Sequence, residues 1–306
     1  MPTNDPRPSK AARRDEARQK ALELRKEQER KAKRTRILAI SGLAVAVLGL
    51  GAVIVFIVNQ NAAREAQYAN VAYGAAQEGV VAPTLDDVET PAAADDNGGI
   101  PVSGGTVGDA GDADNTVVSI YFDFMCPYCG QFDQINSADL EALAQTDGVT
   151  VLYQPLSFLD EASQGTSYST RAANALAVVA DRSPEHVQKF ITALYAKDTQ
   201  PAEGTEGLTD EEIADLATGV GVPEDVAAAF TDTVQGSYTV QDSDGTTERE
   251  GEWRTFAPWV AAAYTSASEQ MPGLTTPTIL IDGEKWTGDW QTPGVLKAAV
   301  EDAAGA

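Results

Sequence analysis

Val117-Val118-Ser119-Ile120-Tyr121-Phe122-Asp123-Phe124-Met125-Cys126-Pro127-Tyr128-Cys129 is the stretch on which the reading of this chain turns. Its first six residues are β-branched and aromatic, apart from one serine, which is the composition of a strand. Cys126 and Cys129 are the only two cysteines among 306 residues. A chain that places its entire cysteine content in one C-x-x-C after a strand points to dithiol chemistry.

Outward from the pair, residues 127–146 read as a helix, with Phe132, Ile135, Leu140 and Leu143 near one stripe. Residues 149–153 form a second strand, closed by Pro155. The result is strand, helix, strand, with the two strands parallel. A long helical stretch follows. It has a helix over residues 170–181, another opened by Pro184 and running through Leu194, and a third over residues 213–218 led by a capping box of Thr209 and Glu212. A short helix starts at Pro223 and a longer one covers residues 256–268. The polar residues 241–251 read as a loop or irregular insertion. Residues 278–281 are a strand, Asp282-Gly283 a hairpin turn, and residues 284–286 the return strand. Thr292-Pro293 start a terminal helix. The order is β-α-β, helical insert, β-β-α.

The N-terminal part belongs to a different solvent. Residues 1–36 carry 13 Lys/Arg against 6 Asp/Glu, and residues 37–58 contain no charge. At about 1.5 Å per residue, an apolar helix of that length spans a hydrocarbon core of about 30 Å. A cleaved signal peptide is the rival reading, but its apolar stretch is shorter, about 7 to 15 residues, and follows a short leader. The reading is therefore an uncleaved signal anchor, with the basic tail cytoplasmic and the remainder outside. The organisation expected is a cytoplasmic tail over 1–36, a transmembrane helix over 37–58, a flexible Gly-, Pro-, Ala- and Asp-rich tether over 59–114, and a folded domain over 115–303 with its helical insert at about 165–270. Part of the tether around Pro101-Val102 could dock as a strand.

Residues 37–306 hold 9 Lys/Arg against 40 Asp/Glu. A field of that sign repels nucleic acid and anionic surfaces. The glycine-rich segments lack a phosphate-cradling or dinucleotide pattern, so no cofactor is implied. Two cysteines and a single histidine, His186, exclude a Cys/His zinc site of the usual kind. His186 reads as a solvated side chain at a helix start. Trp259 and Trp286 read as core and Trp290 as partly exposed.

The order of elements, with the cysteine pair at the first helix, resembles the thioredoxin fold. The insert between its halves resembles the DsbA-like thiol–disulfide oxidoreductases of the bacterial envelope, in form most like membrane-anchored actinobacterial members. Residues 122–129 match that family's active-site region. Thr276-Pro277, directly before a late strand, matches its cis-proline loop. The fold class expected is therefore α/β, thioredoxin-like with a helical insertion, preceded by a single transmembrane helix and a tether. The resemblance implies an enzyme that introduces disulfides into exported, unfolded or partly folded proteins. A separate quinone-coupled membrane protein would reoxidise it, and a monomer is expected. Isomerase or reductase action is the alternative within the class. A binding module with Cys126–Cys129 as a permanent brace is the alternative outside it, although a disulfide closing so short a loop stabilises little in the chain-entropy view.

Under that resemblance Cys126 is the nucleophile, favoured as thiolate by the unpaired N–H groups of a helix N-terminus. Cys129 resolves the mixed disulfide, and Pro127 and Tyr128 tune the potential. Thr276 and Pro277 lie beside the sulfurs and pair with an extended substrate. One position departs from the family: where a buried acid is expected, six residues before the first cysteine, stands Ile120. The nearest carboxylate, Asp123, reads as a cap or solvated strand-end residue, with proton transfer to Cys129 as the alternative.

Overall fold

The computed structural model describes residues 10–68, 71–74 and 79–305; residues 1–9 of the basic tail and 69–70 and 75–78 of the expected tether lie outside the described residues. The chain divides into two compact units, Met1–Ala62 and Ala63–Ala306.

The first unit is helical over its described residues. They form most of α1 (Lys10–Tyr68). Within Arg18–Phe56 this helix is long and apolar enough, by length and composition, to cross a membrane. Its large apolar side chains are exposed, Leu38 and Leu48 at 73% each.

The second unit is built on a six-stranded sheet of β1 (Ile100–Ser103), β2 (Thr106–Val107), β3 (Thr116–Phe122), β4 (Val149–Pro155), β7 (Thr278–Ile281) and β8 (Glu284–Lys285), in the order β2-β1-β4-β3-β7-β8. As the sequence predicts, β3 and β4 are parallel across α2 (Pro127–Leu143). β7 lies antiparallel on the other side of β3, with Ile120 between Tyr153 and Ile279. Asp282 and Gly283 turn β7 into β8 with φ of 49° and 80°. Both values are left-handed, as a primed hairpin turn requires.

Between β4 and β7 stand α3 (Tyr168–Arg182), α4 (Val187–Leu194), α5 (Asp210–Gly219), α6 (Glu224–Ala228), the hairpin β5 (Thr233–Asp242) with β6 (Gly245–Arg254), and α7 (Ala257–Gln270); α8 (Val295–Ala303) closes the chain. The capping box forms: Glu212 N–H donates to Thr209 Oγ1 at 3.1 Å and Thr209 N–H to Glu212 Oε2 at 2.8 Å. A buried ion triad ties the insert together. Asp210 takes Arg171 Nη1 at 3.0 Å and Arg254 Nη2 at 2.8 Å. The same guanidiniums donate to the carbonyls of Leu208 and Phe230.

Four expectations are corrected. The stretch read as a flexible tether over 59–114 is held along part of its length, and the strand expected around Pro101-Val102 does dock. β1 pairs antiparallel with β4, Val102 opposite Val151, and Ile100 and Val102 are fully buried. Its apolar content is low because side chains hold its backbone instead. Asp95 Oδ1 accepts from Asn97 N–H and Gly99 N–H, and Asp181 Oδ1 from Ala92 N–H at 3.0 Å. Apart from the turn at Ser243-Asp244, the residues read as a loop over 241–251 belong to the ten-residue strands of β5–β6. Most of this ribbon faces solvent, with Tyr238 and Val240 among its few buried residues, so no apolar alternation betrays it. His186 is half-buried, its Nδ1 2.8 Å from Ser183 Oγ. Trp259 is core as expected, whereas Trp286 is only half-buried.

Candidate active site

The two sulfurs stand at the C-terminal end of β3. Cys126 is the N-cap residue of α2, with extended backbone (φ −71°, ψ 117°) and Pro127 in the first turn, where no N–H is needed. Cys126 N–H donates to the Asp123 carbonyl at 3.0 Å, which sets the turn from strand to helix. Cys126 Sγ accepts from Cys129 N–H at 3.4 Å, so the side chain caps its own helix. Both cysteines are free thiols, Cys126 4% and Cys129 1% exposed. Tyr128 points outward, 58% exposed.

The Thr276–Pro277 bond is cis. This loop meets the pair: the Cys126 thiol donates to the Thr276 carbonyl at 3.4 Å. The structure thus brings together Cys126, Cys129 and Thr276, which are up to 150 residues apart in sequence.

The surroundings drive the two thiols apart. The hydrogen bond from the Cys129 side chain lowers the Cys126 thiol to about 6, against burial and with help from the Thr276 side chain and the N–H groups of Cys129 and Tyr128. Burial pushes Cys129 up, and its hydrogen bond and proximity to Cys126 push it further. One sulfur is poised as thiolate and the other as thiol, the asymmetry that a nucleophile and a resolving partner need.

Ile120 is core, 2% exposed, and the buried acid of this site is Asp123. The expected solvated strand-end residue is fully buried. Its Oδ1 accepts from Met125 N–H at 2.7 Å and Ser169 Oγ–H at 2.8 Å, and its Oδ2 from Leu159 N–H at 2.8 Å. The cap therefore exists, through Met125. Two of the donors arrive 36 and 46 residues downstream, from the loop after β4 and from α3, and they close over it. Burial raises its carboxyl to about 7 against all three hydrogen bonds, with Asp160 adding to the rise.

Further residues meet the site or its helix without any mark in the sequence. Tyr195 donates its hydroxyl to the Asp123 carbonyl at 2.9 Å. Gln200 Nε2 donates to the Cys126 carbonyl at 2.8 Å. On the far side Trp290 packs edge-on against Phe132 of α2, 5.8 Å between ring centroids. None of the three carries a local spacing that could have pointed to the cysteines.

A dithiol at a helix N-cap after the first parallel strand, with a Thr-Pro loop against its sulfur, defines the class of thioredoxin-fold dithiol proteins. The family described as Thioredoxin matches residues 104–302, and the chain belongs to it. Among solved structures, oxidised DsbA of Mycobacterium tuberculosis is 26% identical with a TM-score of 0.51, over 68% of this chain and 93% of that one. MdbA, a thiol-disulfide oxidoreductase of Actinomyces oris, superposes with a TM-score of 0.53 at 22% identity, over 74% and 97%. The chain is a DsbA-like member of its family. Over 108 residues it is also 36% identical to the serine/threonine-protein kinase PknE of Mycobacterium tuberculosis (strain H37Rv). That match covers 35% of this chain and 19% of the kinase, so the chain spans about a fifth of the length of the curated relatives it matches.

Proposed function

We propose that this protein is a membrane-tethered thiol–disulfide oxidoreductase that introduces disulfides into exported proteins. The observation that carries the reading is the splitting of the pair, with Cys126 held toward thiolate at the N-cap of α2 and Cys129 held as buried thiol one turn on.

In the oxidised enzyme a client thiolate attacks Cys126 Sγ. The Cys126–Cys129 bond breaks, a client–Cys126 disulfide forms, and Cys129 leaves as thiolate and takes a proton. A second client thiolate then attacks the client sulfur and expels Cys126 as a stabilised thiolate. The client has lost two electrons and the enzyme holds a dithiol. To be regenerated, Cys126 attacks the oxidised partner and Cys129 gives up its proton and resolves the mixed disulfide. Asp123, next to Cys129 and titrating near neutrality, delivers and receives that proton. The Thr276 carbonyl and the backbone around Pro277 align an extended client segment, while Pro127 and Tyr128 present the contact surface above the sulfurs. The electrons leave through a separate quinone-coupled membrane protein. The helix within Arg18–Phe56 tethers the catalytic unit, with the basic tail cytoplasmic and the acidic domain outside.

A Cys129→Ala variant expressed in its host removes the resolving sulfur, so partners should accumulate on Cys126 as mixed disulfides. The expected catch is a range of exported cysteine-containing proteins and one membrane protein. A catch of cytosolic proteins would refute the topology. A single haem-maturation protein would turn the enzyme into a reductase.

A further inference from the structure

Gln200 lies on the loop after α4, at a place the rest of the chain holds firmly. Its N–H donates to the Ala196 carbonyl at 2.9 Å, and neighbouring Thr199 bonds the same carbonyl through N–H at 2.9 Å and the Ala193 carbonyl through Oγ1 at 2.7 Å. From this fixed base the half-buried side chain crosses to the start of α2. Its Nε2 donates to the Cys126 carbonyl at 2.8 Å and reaches toward the Phe124 carbonyl at 3.5 Å. The Cys126 carbonyl also accepts from Cys129 N–H and Gly130 N–H. One carboxamide therefore gathers the carbonyls on either side of Met125, the turn that delivers Cys126 Sγ to the helix end.

The opposite end of the carboxamide explains a residue of α2. A Cβ built on Gly130 would overlap Gln200 Oε1 and stand 2.6 Å from Gln200 Cδ. Gly130 is helical, with no left-handed backbone to require glycine. Alanine would be the better helix former there. The space that glycine leaves is filled by Gln200.

We infer that Gln200 is a positioning residue for the attacking sulfur, and that Gly130 is glycine in order to admit it. The inference rests on the assignment of Cys126 as the attacking cysteine. The helical insert thereby acts on the thiol through the backbone: its loop fixes the Phe124–Cys126 turn, and the turn fixes how squarely the Cys129 and Tyr128 N–H groups face Sγ. Loss of the carboxamide loosens that alignment and makes the thiolate less stable.

The test titrates thiolate ultraviolet absorbance in the full-length chain in detergent micelles, with Cys126→Ser as blank. Gln200→Ala should lower the Cys126 acid dissociation constant about 3- to 10-fold, the range of one hydrogen bond. Gly130→Ala should match it while its thermal stability is unchanged or raised, a combination that a packing defect would not give. The double variant should fall no further than either single one, because both remove the same contact. Gln200→Glu should shift the thiol most, since it sets a carboxylate beside the thiolate. Wild type near 6 with Gln200→Ala and Gly130→Ala titrating alongside it, within about twofold, would overturn the inference and leave the proposed function standing. A wild type that titrates as an ordinary cysteine would overturn the assignment of Cys126, and the inference with it.

Discussion

Cys126→Ser should abolish thiol–disulfide exchange, while Cys129→Ala should arrest it one step later with glutathione bound to Cys126. The difference follows from the environments of the sulfurs. At about pH 7 a thiol titrating near 6 is about nine-tenths thiolate, whereas an ordinary cysteine near 8.5 is about 3% ionised, a difference of about 30-fold. Cys129, 1% exposed and pushed the other way, cannot take over the attack. Because the largest influence lowering Cys126 is the hydrogen bond from the Cys129 side chain, Cys129→Ala should also raise the Cys126 thiol toward its ordinary value. Asp123→Asn should slow the resolving step alone and flatten its pH dependence near neutrality, where the Asp123 carboxyl titrates. Mass spectrometry of the glutathione adducts separates the steps. A Cys126→Ser protein that still exchanged within about tenfold of wild type would place the attacking sulfur elsewhere.

Asp210→Ala should produce the largest loss of stability among single replacements outside the apolar core. Asp210 is shared by two guanidiniums, Arg171 at 5% and Arg254 at 10% side-chain exposure. Taking away their common carboxylate leaves both charges buried, a loss of about 3–5 kcal/mol. For a unit of this size that corresponds to about 6–20 °C in melting temperature. The pH dependence follows from the carboxyl, on which burial acts upward but Arg171 and Arg254 prevail and hold it below its usual value. A depressed carboxylate contributes its stability above its unfolded value of about 3.9 and loses it as pH falls through the folded value. The gap between wild type and Asp210→Ala should therefore be constant from about pH 5 to 7 and close below about pH 4. Thermal unfolding of the full chain followed by tryptophan fluorescence reads both. A gap that widened in acid would contradict the ion triad.

Elements whose signals are local could be read before folding. The β3–α2 junction, the Thr209 capping box and the Asp282-Gly283 turn each announce themselves within four residues. Elements stabilised from elsewhere left little trace, Pro101-Val102 alone hinting at a strand and β5–β6 reading as a loop. β1 is ordered by the edge of β4 and by carboxylates such as Asp95, and β5–β6 is a solvent-facing ribbon held by its own ladder. The site divides in the same way. Cys126, Cys129 and Thr276 stand in motifs, but Asp123 becomes a buried acid only when Leu159 and Ser169 fold over it. Ile120 in the family's acidic position signals that something has moved, without saying where. The register of β3 supplies the answer: the carboxyl enters three residues later, beyond the strand, at the turn that leads into the helix.

That Cys126 and Cys129 form an exchanging pair is tested most directly by the equilibrium of dithiol and disulfide forms against glutathione. A thiolate held near 6 raises the potential over that of ordinary thiols by on the order of 60–90 mV. The predicted result is a potential above about −300 mV together with a Cys126–glutathione adduct in Cys129→Ala. A potential well below about −300 mV with no adduct would mean that the two cysteines are a structural brace.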